Sequence, residues 1–100
     1  MAYFIDIAEA AENDIREAFL YYEDQKDNLG TSFESQVNKA VKSIQSNPLK
    51  TQIRYGSTRI FFLSKFPFGI HFQVNEGEQA ILIVAVFHTS LDTEKWAERT

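Results

Sequence analysis

The chain has no cysteine, which rules out a disulfide framework and a thiolate metal site and suits a reducing compartment. Internal repeats, low-complexity tracts and linkers are also missing. The apolar run from Ala80 to Phe87 is much too short to cross a bilayer as a helix. The start of the chain lacks the basic residues and long apolar core of a signal peptide. A soluble cytoplasmic protein with no membrane partner is the expectation. There is no Gly-rich phosphate loop, no nucleophile elbow and no carboxylate or His-x-x-x-His group with metal spacing, and His71 and His88 alone make a thin metal site. No metal and no cofactor are expected.

One further absence is local. The net charge is −4, yet no Asp or Glu lies between Pro48 and Asn75, a stretch that carries Lys50, Arg54, Arg59 and Lys65. A basic island sits in an acidic protein, and only such an island could serve a phosphate-bearing partner.

What is present is apolar mass. With 44% hydrophobic residues and 9 Phe among 100 residues, the chain can close one core and is too short for two, so residues 1–100 are expected to form a single domain. Tyr3 to Ile5 reads as a first strand. Ala8, Ala11, Ile15, Ala18, Phe19 and Tyr22 then recur at three- and four-residue steps and predict a helix from about Ala8 to Asp27. Asp6 and Glu9 have capping-box spacing, and Asn28-Leu29-Gly30 supplies a left-handed stop. Thr31 and Glu34 repeat the box spacing, and a second apolar stripe of Phe33, Val37, Ala40, Val41 and Ile44 runs to Asn47-Pro48. So short a link predicts an antiparallel helical hairpin.

After Pro48 the period changes to two. Arg59 to Leu63 and Phe68 to Asn75 read as strands, with Phe68, Ile70, Phe72 and Val74 on a covered face and Gly69, His71, Gln73 and Asn75 on an open one. Asn75 to Glu78 makes a hairpin turn into Ala80–Phe87, an interior strand apolar on both faces. Asp92 caps a last short helix that carries Trp96. The expected class is α+β: a helical hairpin packed on one face of a mostly antiparallel sheet, followed by a short C-terminal helix.

Within this frame the Phe66-Pro67-Phe68 step into a strand, the strand end Ala85-Val86-Phe87-His88 and the tail Trp96-x-x-Arg99 resemble the ParE/RelE superfamily of toxins from type II toxin–antitoxin modules, also called plasmid stabilisation proteins. The resemblance spans nearly the whole chain and makes Pro67, Phe68, His88, Asp92, Trp96 and Arg99 structural members of the family motif. It implies a cognate antitoxin as partner, with a homodimer or a hetero-oligomer with the antitoxin both open. Two branches imply different activities. ParE-like toxins inhibit a target such as DNA gyrase through protein contact and need no catalytic residue. RelE-like toxins cleave messenger RNA on the ribosome, and here that chemistry would fall to Arg54, Arg59 and His71, with Lys50 on the approach.

Target or phosphate-binding candidates are thus Lys50, Arg54, Arg59, His71 and Gln73, all expected on or beside the open sheet face. Message cleavage would need a group to move the proton of a ribose 2′-hydroxyl and cations to stabilise the charged phosphate. Arg59 could equally pair with an acidic residue of the hairpin. His88 is expected to fix its strand end through backbone or Asp92, and Trp96 to plug the core. The family usually carries arginine just before the Asp, where this chain has Thr89-Ser90-Leu91. An aliphatic residue there binds no phosphate and is expected to face solvent, which favours the ParE-like reading and leaves open a non-toxic member that keeps antitoxin binding alone.

Overall fold

The computed structural model describes residues 3–91, 93, 95 and 96. Strand β1 (Phe4–Ile7) leads into helices α1 (Glu9–Gln25) and α2 (Leu29–Ser46), then a single 3₁₀ turn at Pro48–Lys50. Four strands follow: β2 (Ile53–Tyr55), β3 (Thr58–Phe62), β4 (Phe68–Asn75) and β5 (Ala80–His88). They form one sheet in the order β1-β5-β4-β3-β2. The β1–β5 pair is parallel and the other pairs are antiparallel. The expected α+β class, helical hairpin and mostly antiparallel sheet are present. Asp92 and Arg99, which frame the expected terminal helix, lie outside the described residues.

The two stripes read from the sequence meet in the main core. Ala11 and Ala18 of α1, and Phe33, Val37, Ala40 and Ile44 of α2, pack on Ile70, Phe72, Ile81, Ile83 and Val86 of the sheet. Tyr22, Phe33, Phe66 and Phe68 form a ring cluster at one end, with Phe33 and Phe68 centroids 5.0 Å apart and crossed at 66°. Such tilted arrangements set ring edges against ring faces and add to plain area burial.

The expected capping boxes are replaced by other chemistry. Asp6 is a strand residue paired with Leu82, and α1 begins after Ala8 with no side-chain cap. Thr31 lies inside α2, which starts at Leu29, three residues earlier than a cap at Thr31 implies. The chain reverses at Asn28, held left-handed at φ 71°, and the carboxylate of Glu23 reaches across from α1 to accept from the backbone N–H of Asn28 and of Gly30, each at 3.0 Å. One acidic side chain therefore satisfies two donors at the start of α2, and its charge favours that end of the helix dipole. Gly30 is a contact residue and not the stop: a Cβ there would come within 2.6 Å of the Phe19 carbonyl oxygen. The helices can approach this closely only with hydrogen at that position.

Among the described residues, β1 pairs with β5 from Ala80 to Ile83. Beyond that point β1 has given way to α1, through the bond from Ala8 N–H to Ile83 oxygen at 2.9 Å. Asp14 of α1 then takes over, its Oδ2 accepting from Val86 N–H at 3.0 Å. Opposite this point the β4–β5 register slips by one residue between His71 and Phe72. The bulge alters strand facing locally, and it bears directly on the site described next.

Candidate functional site

Residues paired directly across antiparallel strands share a face, so the register sorts the candidates. Thr58 pairs with Gln73, Ile60 with His71 and Phe62 with Gly69 on one face, whereas Arg59 pairs with Phe72 and Phe61 with Ile70 on the other. Phe72 and Ile70 belong to the helix-covered core. Arg59 is thus on the helix side and not on the open face, a correction to the sequence reading, which did not fix the pairing of this strand. Its Nη1 donates to the carbonyl oxygens of Thr51 at 2.6 Å and Leu49 at 3.3 Å. That role is the tethering of the segment between the 3₁₀ turn and β2.

The face away from the helices is not open at its centre. His71 is 2% exposed and Thr58 is fully buried. Val84, Ala85 and Phe87 form a second, smaller apolar cluster against which Leu91 and Trp96 pack. Tyr55 packs against Trp96, their ring centroids 5.3 Å apart. His71 lies edge-on to both Trp96 and Phe87 at 5.1 Å. Its Nδ1 is 2.8 Å from the Tyr55 hydroxyl, and Gln73 Nε2 donates to Thr58 Oγ1 at 3.3 Å. Burial pushes the Tyr55 phenol above its ordinary value of 10.0, opposed in part by a hydrogen bond from Thr58. The expectation that β4 is covered on one side only therefore fails. Rings shield this face at its middle, and alternation in β4 alone could not reveal that β2 and the segment after β5 would supply them.

Tyr55 and Thr58 are the residues sequence reading missed. Their signal was Gly56-Ser57, a two-residue hairpin connection, with Gly56 at the positive φ of 51° that such turns require. Leu91, expected to face solvent, is half-buried against the smaller cluster. Trp96 is likewise half-buried and covers that cluster instead of entering the main core.

The remaining candidates stand apart. Lys50 and Arg54 are exposed, the latter with its guanidinium carbon 5.6 Å from the Phe62 ring centroid. His88 is exposed at the end of β5, where its Nδ1 accepts from Ser90 N–H at 3.0 Å and lies 2.7 Å from the Ser90 hydroxyl. The Pro67 carbonyl oxygen accepts from Thr89 N–H at 2.8 Å, joining the family-motif step to the same corner. Phe68 packs edge-on against His88 at 5.2 Å. A groove of about 560 Å³ between α1 and the end of β5 is lined by Asp14, Glu17, Tyr21, Tyr22, Phe68 and His88 among others. With two carboxylates in its wall, it suits polypeptide better than phosphate.

Among the described residues, no group of three or more His, Cys, Asp or Glu is placed to hold a metal ion, and no helix is long and apolar enough to cross a membrane. The described cationic candidates do not converge on His71: Arg59 is across the sheet, and Lys50 and Arg54 sit at its rim.

Solved structures give the fold a context. The chain is similar to a protein of the chromosomal ParDE toxin–antitoxin system from P. aeruginosa at a TM-score of 0.77 and 16% identity, over 88% of this chain and 97% of that one. It is similar to a chain of the intact E. coli RelBE toxin–antitoxin complex at 0.69 and 18%, over 90% and 100% of the two chains. A chain of the RelBE2 complex from Mycobacterium tuberculosis gives 0.65 and 12%, over 88% and 99%. At such identities these likenesses speak to the fold. No curated protein sequence matches the chain. The sequence profile for the ParE toxin of the type II toxin–antitoxin system parDE does match, over residues 5–92. The chain therefore belongs to the ParE toxin family of type II toxin–antitoxin systems.

Proposed function

We propose that this toxin acts by protein–protein contact, on a cellular target such as DNA gyrase, and is held silent in the cytoplasm by a cognate antitoxin. The single domain would carry both contacts. The observation that supports contact over RNA cleavage is the burial of His71 at 2% exposure beneath Tyr55 and Trp96, with Arg59 turned to the opposite face. Cleavage at a ribose 2′-hydroxyl requires a proton-transfer group and cations within reach of one phosphate. A buried imidazole and an arginine across the sheet do not meet that geometry. Partnership with an antitoxin is supported by the toxin–antitoxin complexes among the solved relatives.

The test is induction of the toxin in cells with and without the neighbouring small gene, combined with mapping of message 5′ ends and a gyrase supercoiling assay on purified protein. Growth arrest without cuts, relieved by a co-purifying partner, is the expected result. Cuts within translated codons that disappear in His71→Ala would overturn the reading in favour of a ribosome-dependent ribonuclease.

A further inference from the structure

Helix α2 carries a second stripe, and this one is polar. Ser32, Ser35, Lys39, Ser43 and Ser46 recur at three- and four-residue steps, share one face and are all exposed. That face borders three recesses that follow one another between α2 and the segment from the 3₁₀ turn to Phe66. The first, of about 590 Å³ at the start of α2, shares Gln36 and Lys65 with the second, of about 420 Å³. The second shares Ser43 and Phe61 with the third, of about 450 Å³, which reaches Lys50 and Thr51.

Among the described residues, no carboxylate lines any of the three, although the protein has a net charge of −4. Lys65, Lys39 and Lys50 stand along the track in that order, and all three are exposed. Glu34, the acidic residue of α2, lines a different groove on the α1 side of the helix. The groove between α1 and the end of β5 has Asp14 and Glu17 in its wall, so acid and base are divided between the two sides of the hairpin. Arg59 secures the end of the track, because the carbonyl oxygens it binds, of Leu49 and Thr51, flank Lys50.

We propose that this track binds the sugar–phosphate backbone of a single-stranded nucleic acid. Lys39, Lys50 and Lys65 would meet phosphates, and the serine hydroxyls along α2 would donate to phosphate and sugar oxygens. The half-buried rings of Phe61 and Phe66 in the wall give bases a flat apolar surface, which an acidic peptide has no group to use. A recess admits a flexible strand, whereas a duplex presents its phosphates on a rigid convex surface that would touch only the rim. Hydroxyl and ammonium donors meet any phosphate, so the binding reads no base sequence. His71 lies on the opposite face of the sheet from Phe61, so binding here entails no cleavage and stands or falls apart from the proposed function.

The experiment uses full-length protein and labelled oligothymidine and oligouridine of about twelve nucleotides, read by fluorescence anisotropy over a range of salt. Both are expected to bind, the tighter one naming the natural source. With three cations engaged, log affinity should fall against log salt with a slope of about −2, a loss of roughly fifteenfold between about 50 and 200 mM. Lys39→Gln and Lys65→Gln should each remove about a third of that slope, with thermal unfolding unchanged because both positions are exposed. Arg16→Gln, an exposed position in the groove on the α1 side, should bind as the parent does. The proposal is overturned by no binding at about millimolar oligonucleotide, or by an unchanged slope in the Lys39→Gln, Lys65→Gln double variant. Equal binding of an uncharged-backbone analogue, or of oligoglutamate of matched charge, overturns it as well. So does tighter binding of a duplex with the same number of phosphates.

Discussion

The two faces of this sheet are closed by different means. On one, α1 and α2 cover a continuous core whose largest members, Phe33 and Phe72, have no exposed surface. On the other, a small patch of Val84, Ala85 and Phe87 is covered by Leu91 and Trp96, with Tyr55 from β2 packed against Trp96 and His71 beside it. The first closure is distributed, so many contacts share the burden of excluding water. The second depends on Tyr55, His71, Leu91 and Trp96, and removing any one of them uncovers a neighbour. A face that looks polar by alternation can still be dry when aromatic residues arrive from outside the strand.

If this contrast is right, Phe33→Ala should show the largest loss of stability, about 3–5 kcal/mol, because it empties the site where Tyr22, Phe66 and Phe68 meet. Urea unfolding followed by circular dichroism measures it, and a loss under about 1 kcal/mol would mean the helix-side core is not continuous. Trp96→Ala should cost roughly 2 kcal/mol, less than a full core ring because Trp96 is only half-buried, and should increase binding of a hydrophobic dye. A neutral result would return the second face to solvent and reopen the catalytic reading of His71.

Leu91→Arg sharpens the comparison at the rim of that face. The sequence suggested a solvent-facing position that tolerates charge, whereas the packing on Val84, Ala85 and Phe87 predicts a loss of about 1–2 kcal/mol. Unchanged thermal unfolding would place the side chain outside the cluster. Tyr55→Phe should have a smaller effect, about 1 kcal/mol, since it keeps the ring and deletes only the hydroxyl bonded to His71. It also carries a pH signature. Because burial holds the folded phenol above 10.0, the unfolded chain loses this proton first as pH rises past that value. The stability contributed is therefore complete below the unfolded value and lost as pH climbs through the folded one. Tyr55→Phe should flatten that alkaline decline, leaving the part due to Tyr22, whose phenol is also raised by burial and by Tyr21. An identical alkaline profile in both proteins would show that Tyr55 is not buried in solution.

Much of the architecture is legible because it rests on periodicity. The stripes of α1 and α2, the alternation of β4 and the continuous apolar run of β5 each follow from which side of an element must be dry. Phe68–Asn75 is found where it was expected, and Ala80–Phe87 falls one residue short of the observed strand. Caps were less legible. Box spacing at Asp6 and Thr31 is a local signal, and in this fold a side chain from the neighbouring helix does the work at α2. The site was least legible, because facing depends on register. Arg59 and His71 look equivalent on paper, and only the pairing of β3 with β4 puts them on opposite sides. The slip at His71–Phe72 and the rings of Tyr55 and Trp96 are long-range facts that no window of residues contains.

The carboxylate of Glu23 has a consequence for the order in which the chain folds. Its two bonds span five and seven positions, so they can form while the strands are still far apart. Contacts of such short separation require little loop closure, whereas β1 must wait for β5 to arrive from the far end of the chain. The helical hairpin is thus the natural place for a nucleus, with Glu23 fixing its reversal before there is a sheet to pack on. Replacing that carboxylate should slow folding more than it hastens unfolding, and stopped-flow rates would read the difference. A residue in the last turn of α1 would then set how long the newly made toxin lingers half-assembled.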